Sequence, residues 1–373
     1  MAAGTAWTGS VDTSEKSTQS YMKRIYFIMA AAAAVAAVSC GPKVSEKTLI
    51  AGSFENNVPD EVSFKAKDFI DTTVAVTDGK FSIELPTSKT TTVMLTAGSN
   101  RAMFIPDGTK LTLAIDQEGN AEITSETPEI SIQEKYNAFN KEIGTLQETF
   151  QKAMANIKDD EEAAEKAYNE YEAAAKECMT NTFEANKDNA IGVNIFRNLQ
   201  YDLPIDEVDS ILQTFDAAVA EVPVIKTIKD NVEAKKATAE GKMFTDFEVD
   251  GVKFSDYVGK GKYMLVDFWA SWCGPCKREI PNIKKVYEKY AGNEFDVLSV
   301  AVWDEPQATR DTAKVYGVCW NEIVNAQRIP TDIYGIQGIP HIMLVGPDGT
   351  ILKRDLRGEG IEEEVAKYVK AVK

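Results

Sequence analysis

One histidine, His341, stands in 373 residues. A multi-histidine metal centre is therefore excluded. Cysteine is almost as scarce, with five residues, at positions 40, 178, 273, 276 and 319. So few do not make the dense disulfide framework of a small secreted domain. Positive charge is also short: 41 Lys and Arg face 58 Asp and Glu, a formal net charge of −17. That balance argues against nucleic acid or an anionic membrane surface as partner. The longest apolar run, Ile25 to Val38, has 14 residues, short of the roughly 18 that an ordinary membrane span needs. What is present is ordinary. At 44% apolar and 27% charged the chain has the composition of a folded protein, with length enough for two or three domains with cores.

The same apolar run, preceded by Met22-Lys23-Arg24, has the shape of a secretory signal. It ends in "AVSCG". A small residue before a cysteine at that point resembles a bacterial lipobox, which implies that Cys40 is the lipidated first residue of the mature chain. The competing reading is an ordinary signal peptide with an incidental cysteine. Residues 1–21 sit awkwardly before a signal, so Met22 is a candidate for the true start and 1–40 reads as leader. An exported chain meets an oxidising compartment.

Three segments follow. Over 45–127 short alternating runs such as "DEVSFKAKDF" and "DTTVAVTDGKFSIELP" are broken by turns at Asp78-Gly79 and Asp107-Gly108, which predicts an antiparallel β-sandwich. The run "DTTVAVTDGKFSI" resembles the N-terminal β-domain of unknown role in some bacterial lipoproteins, which leaves it a spacer or a ligand-binding module. Over 128–241 the period changes. Ile132, Tyr136, Phe139, Ile143, Leu146, Phe150, Met154 and Ile157 form one stripe on a long amphipathic helix. A second helix carries Tyr168, Tyr171, Ala175 and Cys178 on its buried seam, and shorter helices follow near 191–199, 207–215 and 224–240. This reads as a helical connector. Over 242–373 buried strands alternate with helices, an α/β pattern: a hairpin at Asp250-Gly251, strand "YMLVDFW", a helix from Cys273, strand "FDVLSVAVW", a helix ending at Gly317, then a hairpin at Asp348-Gly349 and a closing helix.

Cys273 and Cys276 sit two residues apart after a buried strand. Structural zinc needs four ligands; there is no second Cys-x-x-Cys, so no metal is expected. Redox chemistry needs one thiol as thiolate and a second close by. A helix start supplies both, because its unpaired N–H groups and dipole favour the thiolate. Cys273 is then expected to be the more exposed and more acidic thiol.

The stretch "LVDFWASWCGPCK" resembles thioredoxin. Asp267 falls where thioredoxins keep a buried carboxylate, Trp269 and Trp272 on their two tryptophans, Pro281 on the proline of the active-site helix, and "GIPH" on the cis-proline loop, at Pro340. The long connection before "GIPH" resembles the extracytoplasmic TlpA/ResA-like branch. That resemblance implies a thioredoxin fold for 242–373 and a thiol–disulfide oxidoreductase with no cofactor beyond its own Cys273–Cys276 pair. Cys273 would attack a substrate disulfide and Cys276 would resolve it, with Asp267 as proton acceptor or as a tolerated buried polar group. Substrate would lie against Trp272, Gly274, Pro275, Ile339 and Pro340. His341 reads either as a cation favouring the thiolate or as a solvated residue. Cys178 and Cys319 read as buried structural thiols. The expected partners are disulfide-containing envelope proteins and a membrane electron donor. Direction is read as reducing; the alternatives are an oxidase or isomerase, or a redox-sensing lipoprotein without turnover. A peroxiredoxin is disfavoured because the Pro-x-x-x-Thr-x-x-Cys pattern is absent.

Overall fold

The computed structural model describes residues 44–54, 57–115, 121–158 and 160–372. The expectations on the signal, on Met22 and on Cys40 lie outside the described residues.

Eight strands come first: β1 (Lys47–Ser53), β2 (Glu61–Ala66), β3 (Ile70–Ala75), β4 (Lys80–Pro86), β5 (Val93–Ala97), β6 (Asn100–Phe104), β7 (Lys110–Ile115) and β8 (Ala121–Ser125). They form two four-stranded sheets, ordered β4-β1-β7-β8 and β3-β2-β5-β6. Alternation decides what is inside. Ile50, Phe81, Leu85, Leu111 and Leu113 of one sheet and Val62, Phe64, Val93, Leu95 and Phe104 of the other share one apolar cluster. The expected all-antiparallel pairing is corrected at one place, because β1 and β7 run parallel. The turn at Asp78-Gly79 has both residues at positive φ, as a tight two-residue turn requires. Yet β3 pairs with β2 and β4 with β1, so the chain passes from one sheet to the other there.

Asp107 does more than mark a turn. It is buried, accepts hydrogen bonds from Ser131 Oγ (2.6 Å) and the Gln133 amide (3.0 Å), and so secures the start of helix α1 (Ile132–Asn156). Ile105 N–H donates to Gln133 Oε1 from the other side. Helix α2 (Glu161–Ala185) packs back along α1, with Phe150 stacked on Tyr171 at 4.9 Å. Cys178 is buried as expected, but Tyr168 is exposed. The stripe on α1 is mostly only half-buried. Four further helices, α3 (Ala190–Leu199), α4 (Ile205–Leu212), α5 (Ala217–Ala220) and α6 (Pro223–Ala237), pack with Ile105 and Phe183 into a second apolar cluster.

The last third holds a five-stranded sheet, β13 (Asn321–Ile323), β12 (Phe295–Ala301), β11 (Tyr263–Trp269), β14 (His341–Val345) and β15 (Ile351–Lys353), in that order. The first three run parallel and the last two antiparallel. β11 is buried on both faces, which explains its unbroken apolar run. Helices α7 (Gly274–Tyr290), α8 (Pro306–Tyr316) and α10 (Glu359–Ala366) cover one face. The hairpin β9 (Glu248–Val249)–β10 (Val252–Lys253) and helix α9 (Ile329–Tyr334) contribute Val249 and Tyr334 to the cluster on the other.

Helix α6 reaches this last part. Arg354 donates to the carbonyl and hydroxyl of Thr238, just beyond α6, at 2.9 Å each. Gly335 sits at φ +61, where an added Cβ would lie 2.5 Å from the Asn231 carbonyl of α6. Gly335→Ala is therefore expected to cost about 2 kcal/mol, because strain and a backbone clash coincide. A lower urea midpoint with an unchanged slope is the check.

Candidate functional site

The site is built where β11 ends. Cys273 caps α7 and bonds to Cys276 with an S–S distance of 2.02 Å. Pro275 fits the first turn because no intrahelical partner awaits its missing N–H. The stripe Cys276, Ile280, Ile283, Val286 and Tyr290 keeps α7 on the sheet. Pro281 lies inside the helix, as its spacing predicts. The Cys276 amide donates to Cys273 Sγ at 3.1 Å, the first-turn donor that the helix argument calls for. With the disulfide closed, Cys273 and Cys276 are 3% and 1% exposed. The expected contrast in exposure concerns the free thiols; in the disulfide both residues belong to the apolar cluster under α7.

Around the disulfide, Trp272 is 59% exposed. Its indole N–H donates to the Trp303 carbonyl at 2.9 Å. The Ile339–Pro340 peptide is cis, and the Ile339 carbonyl oxygen lies 3.8 Å from Cys273 Sγ. Ile339 otherwise has no hydrogen bond among the described residues, so its backbone is free beside the sulfur. The structure thus gathers Cys273, Gly274, Pro275, Cys276, Trp272, Ile339 and Pro340 at one end of β11.

Asp267 is buried on the face that carries the disulfide, between Leu265 and Trp269 along the strand. Ser299 Oγ donates to its Oδ2 at 3.5 Å, and Oδ1 has no partner among the described residues. No hydrogen bond joins it to either cysteine among the described residues. Burial pushes its carboxyl up to about 7; the Ser299 hydroxyl and Arg357 oppose this, while Glu279 and Glu322 add to it.

His341 is corrected on both readings. It is buried, its Nδ1 pairs with Asp355 at 2.7 Å, and its Nε2 accepts from Arg354 Nε at 3.3 Å. Burial pulls its pKa down, so it stands neutral, with its proton on Nδ1. It also packs against Phe268, on the sheet face away from the cysteines. Cys319 is corrected too. It is exposed, because after the Gly317 cap Val318 and Trp320 turn inward and alternation leaves Cys319 outside.

Asp304 is a site residue that the sequence reading missed. Buried at the end of the segment after β12, it accepts from the Ser271 amide (2.6 Å) and hydroxyl (2.8 Å), the Thr309 hydroxyl (2.8 Å) and the Glu305 amide (2.9 Å). It holds the loop that carries Trp272 and Cys273. Its neighbour Trp303 sits at φ +53, a conformation that a bulky residue adopts only when its surroundings enforce it. An Asp two residues before the helix-opening Pro306 was the available signal. Glu279 and Arg357 were also missed. Glu279 accepts from the Gly358 amide at 3.0 Å, and Arg357 donates to the Pro340 carbonyl. Arg357 is remote in sequence from the Cys-x-x-Cys, and Glu279, on α7 three residues after Cys276, is marked by no motif.

Residues 228–354 match the AhpC/TSA family. The thiol-disulfide oxidoreductase ResA of Bacillus subtilis (strain 168) is 26% identical over 144 residues, covering 37% of this chain and 79% of its own. The C-terminal part of the chain is similar to thioredoxin-like thiol–disulfide oxidoreductases. ResA of Geobacillus kaustophilus (strain HTA426) is likewise 26% identical over 144 residues, covering 37% of this chain and 81% of its own. Among solved structures, a thiol:disulfide interchange protein from Bacteroides sp. is 30% identical with a TM-score of 0.32, covering 36% of this chain and 91% of that one.

The thioredoxin-like site makes a stability prediction. Asp267 has its folded pKa, about 7, above its unfolded value of about 3.9. Between those values the folded state holds a proton that the unfolded state has lost, so stability falls as pH rises through this window. The cost above pH 7 is up to about 4 kcal/mol. Asp267→Asn should remove this slope and raise stability at pH 8, which chemical denaturation at pH 4 and pH 8 measures. Equal slopes in both proteins would contradict the buried-acid account.

Proposed function

We propose that the protein is an envelope-anchored oxidoreductase that reduces disulfides in other envelope proteins through Cys273 and Cys276. The observation that carries this reading is the disulfide at the start of α7, with an exposed Trp272 on one side and the free Ile339 backbone on the other. An extended substrate can add to that backbone as a strand adds to a sheet edge. We assign the chemistry to residues 242–373 and none to 45–127 or 128–241.

In the reduced form Cys273 is the attacking thiolate. The Cys276 amide and the helix dipole favour its charge. Attack on a substrate disulfide forms one S–S bond and breaks another; the departing substrate sulfur takes up a proton. Cys276 then loses its proton to Asp267, directly or through water, and attacks Cys273 Sγ. The mixed disulfide breaks, the substrate leaves reduced, and the internal disulfide re-forms. Two electrons have passed from the Cys pair to the substrate. A membrane electron donor must restore them, and no cofactor besides the disulfide is needed. The reducing direction is supported by the Gly-Pro between the cysteines, which matches the low-potential thioredoxin dipeptide. Cys40 would tether the chain through lipid.

Replacing Cys276 with Ser removes the resolving thiol. Mixed disulfides should then accumulate through Cys273, and peptide mapping of the trapped partners identifies both the bond and the substrates. Bonds mapped to Cys276 in the reciprocal Cys273→Ser protein would reverse the assigned roles. In an insulin-reduction assay the parent chain should turn over and both variants should not. Cys40→Ser should move the protein from the membrane to the soluble envelope fraction; unchanged membrane retention would remove the anchor from this reading.

A further inference from the structure

A row of polar side chains crosses the disulfide's face of the five-stranded sheet. Asp267 on β11 lies opposite Ser299 on β12, and Ser299 lies opposite Glu322 on the edge strand β13. In-register neighbours on adjacent strands share a face. Trp320 packs in the cysteine cluster and Ile323 in the opposite one, which puts Glu322 on Asp267's side. Two strand spacings, about 10 Å, separate the two acids. The hydroxyl between them has a defined direction. Trp320 Nε1 donates to Ser299 Oγ at 2.9 Å, and Ser299 donates to Asp267 Oδ2 at 3.5 Å. Each acid also keeps one buried oxygen, Asp267 Oδ1 and Glu322 Oε1, without a hydrogen-bond partner among the described residues.

We propose that Glu322 is a positioning residue for the thiol chemistry: from the sheet edge its charge holds the proton on Asp267, while the Ser299 hydroxyl between them favours release. This rests on the reading of Asp267 as the proton partner of Cys276. The other charges facing Asp267 are Glu279 from α7 and Arg357 from the segment before α10. The one facing Glu322 is Arg310 of α8, and Tyr287 of α7 packs against Trp320 in a tilted pair, ring centroids 5.5 Å apart. Burial moves Glu322 up to about 6, below the value of about 7 for Asp267. Across the Ser299 register the charge of Glu322 resists ionisation of Asp267. Asp267 keeps its proton to near neutrality, where exchange with a thiol is most effective.

The two neighbours should act in opposite senses, which a purely structural role would not produce. Glu322→Gln keeps the shape and removes the charge. The Asp267 carboxyl titration, followed by carbon NMR on the full chain, should then move down by about half a pH unit or more. The acid limb of the insulin-reduction rate should move down with it. Ser299→Ala should move both up, and Glu322→Asp, which keeps the charge, should stay near the parent. An unmoved Asp267 titration in a folded Glu322→Gln protein overturns the proposal. A titration that moves while the rate profile stays leaves the coupling intact but removes Asp267 from the proton step, and the positioning role given to Glu322 falls with it. Should Ser299→Ala fail to fold, Glu322→Gln against Glu322→Asp carries the test alone.

Discussion

A thiolate in a protein needs donors that nothing else uses, and a helix has them only at its start. The site depends on that constraint. β11 must end where α7 begins, so that the Cys273 sulfur meets the Cys276 amide. The long buried strand, the proline in the first turn and the apolar stripe of α7 all serve this one junction. Asp304 completes it from outside the motif. By binding the amide and hydroxyl of Ser271 it keeps the approach to Cys273 in one shape. The Trp303 carbonyl then holds the Trp272 ring beside the disulfide without burying it.

Beneath the junction lies an electrostatic cost. A carboxylate buried with one oxygen unpaired is expensive, and Asp267 answers by holding its proton. A leucine there would pack with less penalty. An acid held near neutrality can instead accept a proton from a thiol and return it. The Ser299–Glu322 row extends this environment to the edge of the sheet, where Glu322 is half-buried beside Arg310. On the proposed mechanism, stability and chemistry pull in opposite directions at this residue.

The helical part is joined to the thioredoxin-like part close to the site. Lys235 of α6 donates to the Gln337 side chain, and Gln337 donates to Gln200. Gln337 stands two residues before Ile339, whose carbonyl borders the disulfide. Arg354 links Thr238, the Tyr334 carbonyl and His341 in one hydrogen-bonded group. His341 is consumed by this group. Burial keeps it neutral, and strand alternation turns it away from the cysteines.

Much of this was legible in the chain itself. Local periodicity and turn residues place the elements, because a buried strand needs an unbroken apolar run and a tight turn favours Asp-Gly. The Cys-x-x-Cys after such a strand specifies the chemistry, since the two thiols are neighbours through one helical turn. Tertiary structure alone decided what depends on partners distant along the chain. The parallel pairing of β1 with β7, the half-exposed seam of α1, the outward Cys319 and the neutral His341 all follow from what packs opposite. Asp304, Glu279 and Glu322 look like ordinary surface acids in the sequence. Only the fold carries them to Ser271, Gly358 and the row of Asp267, because charge acquires a role from its three-dimensional neighbours and not from its place along the chain.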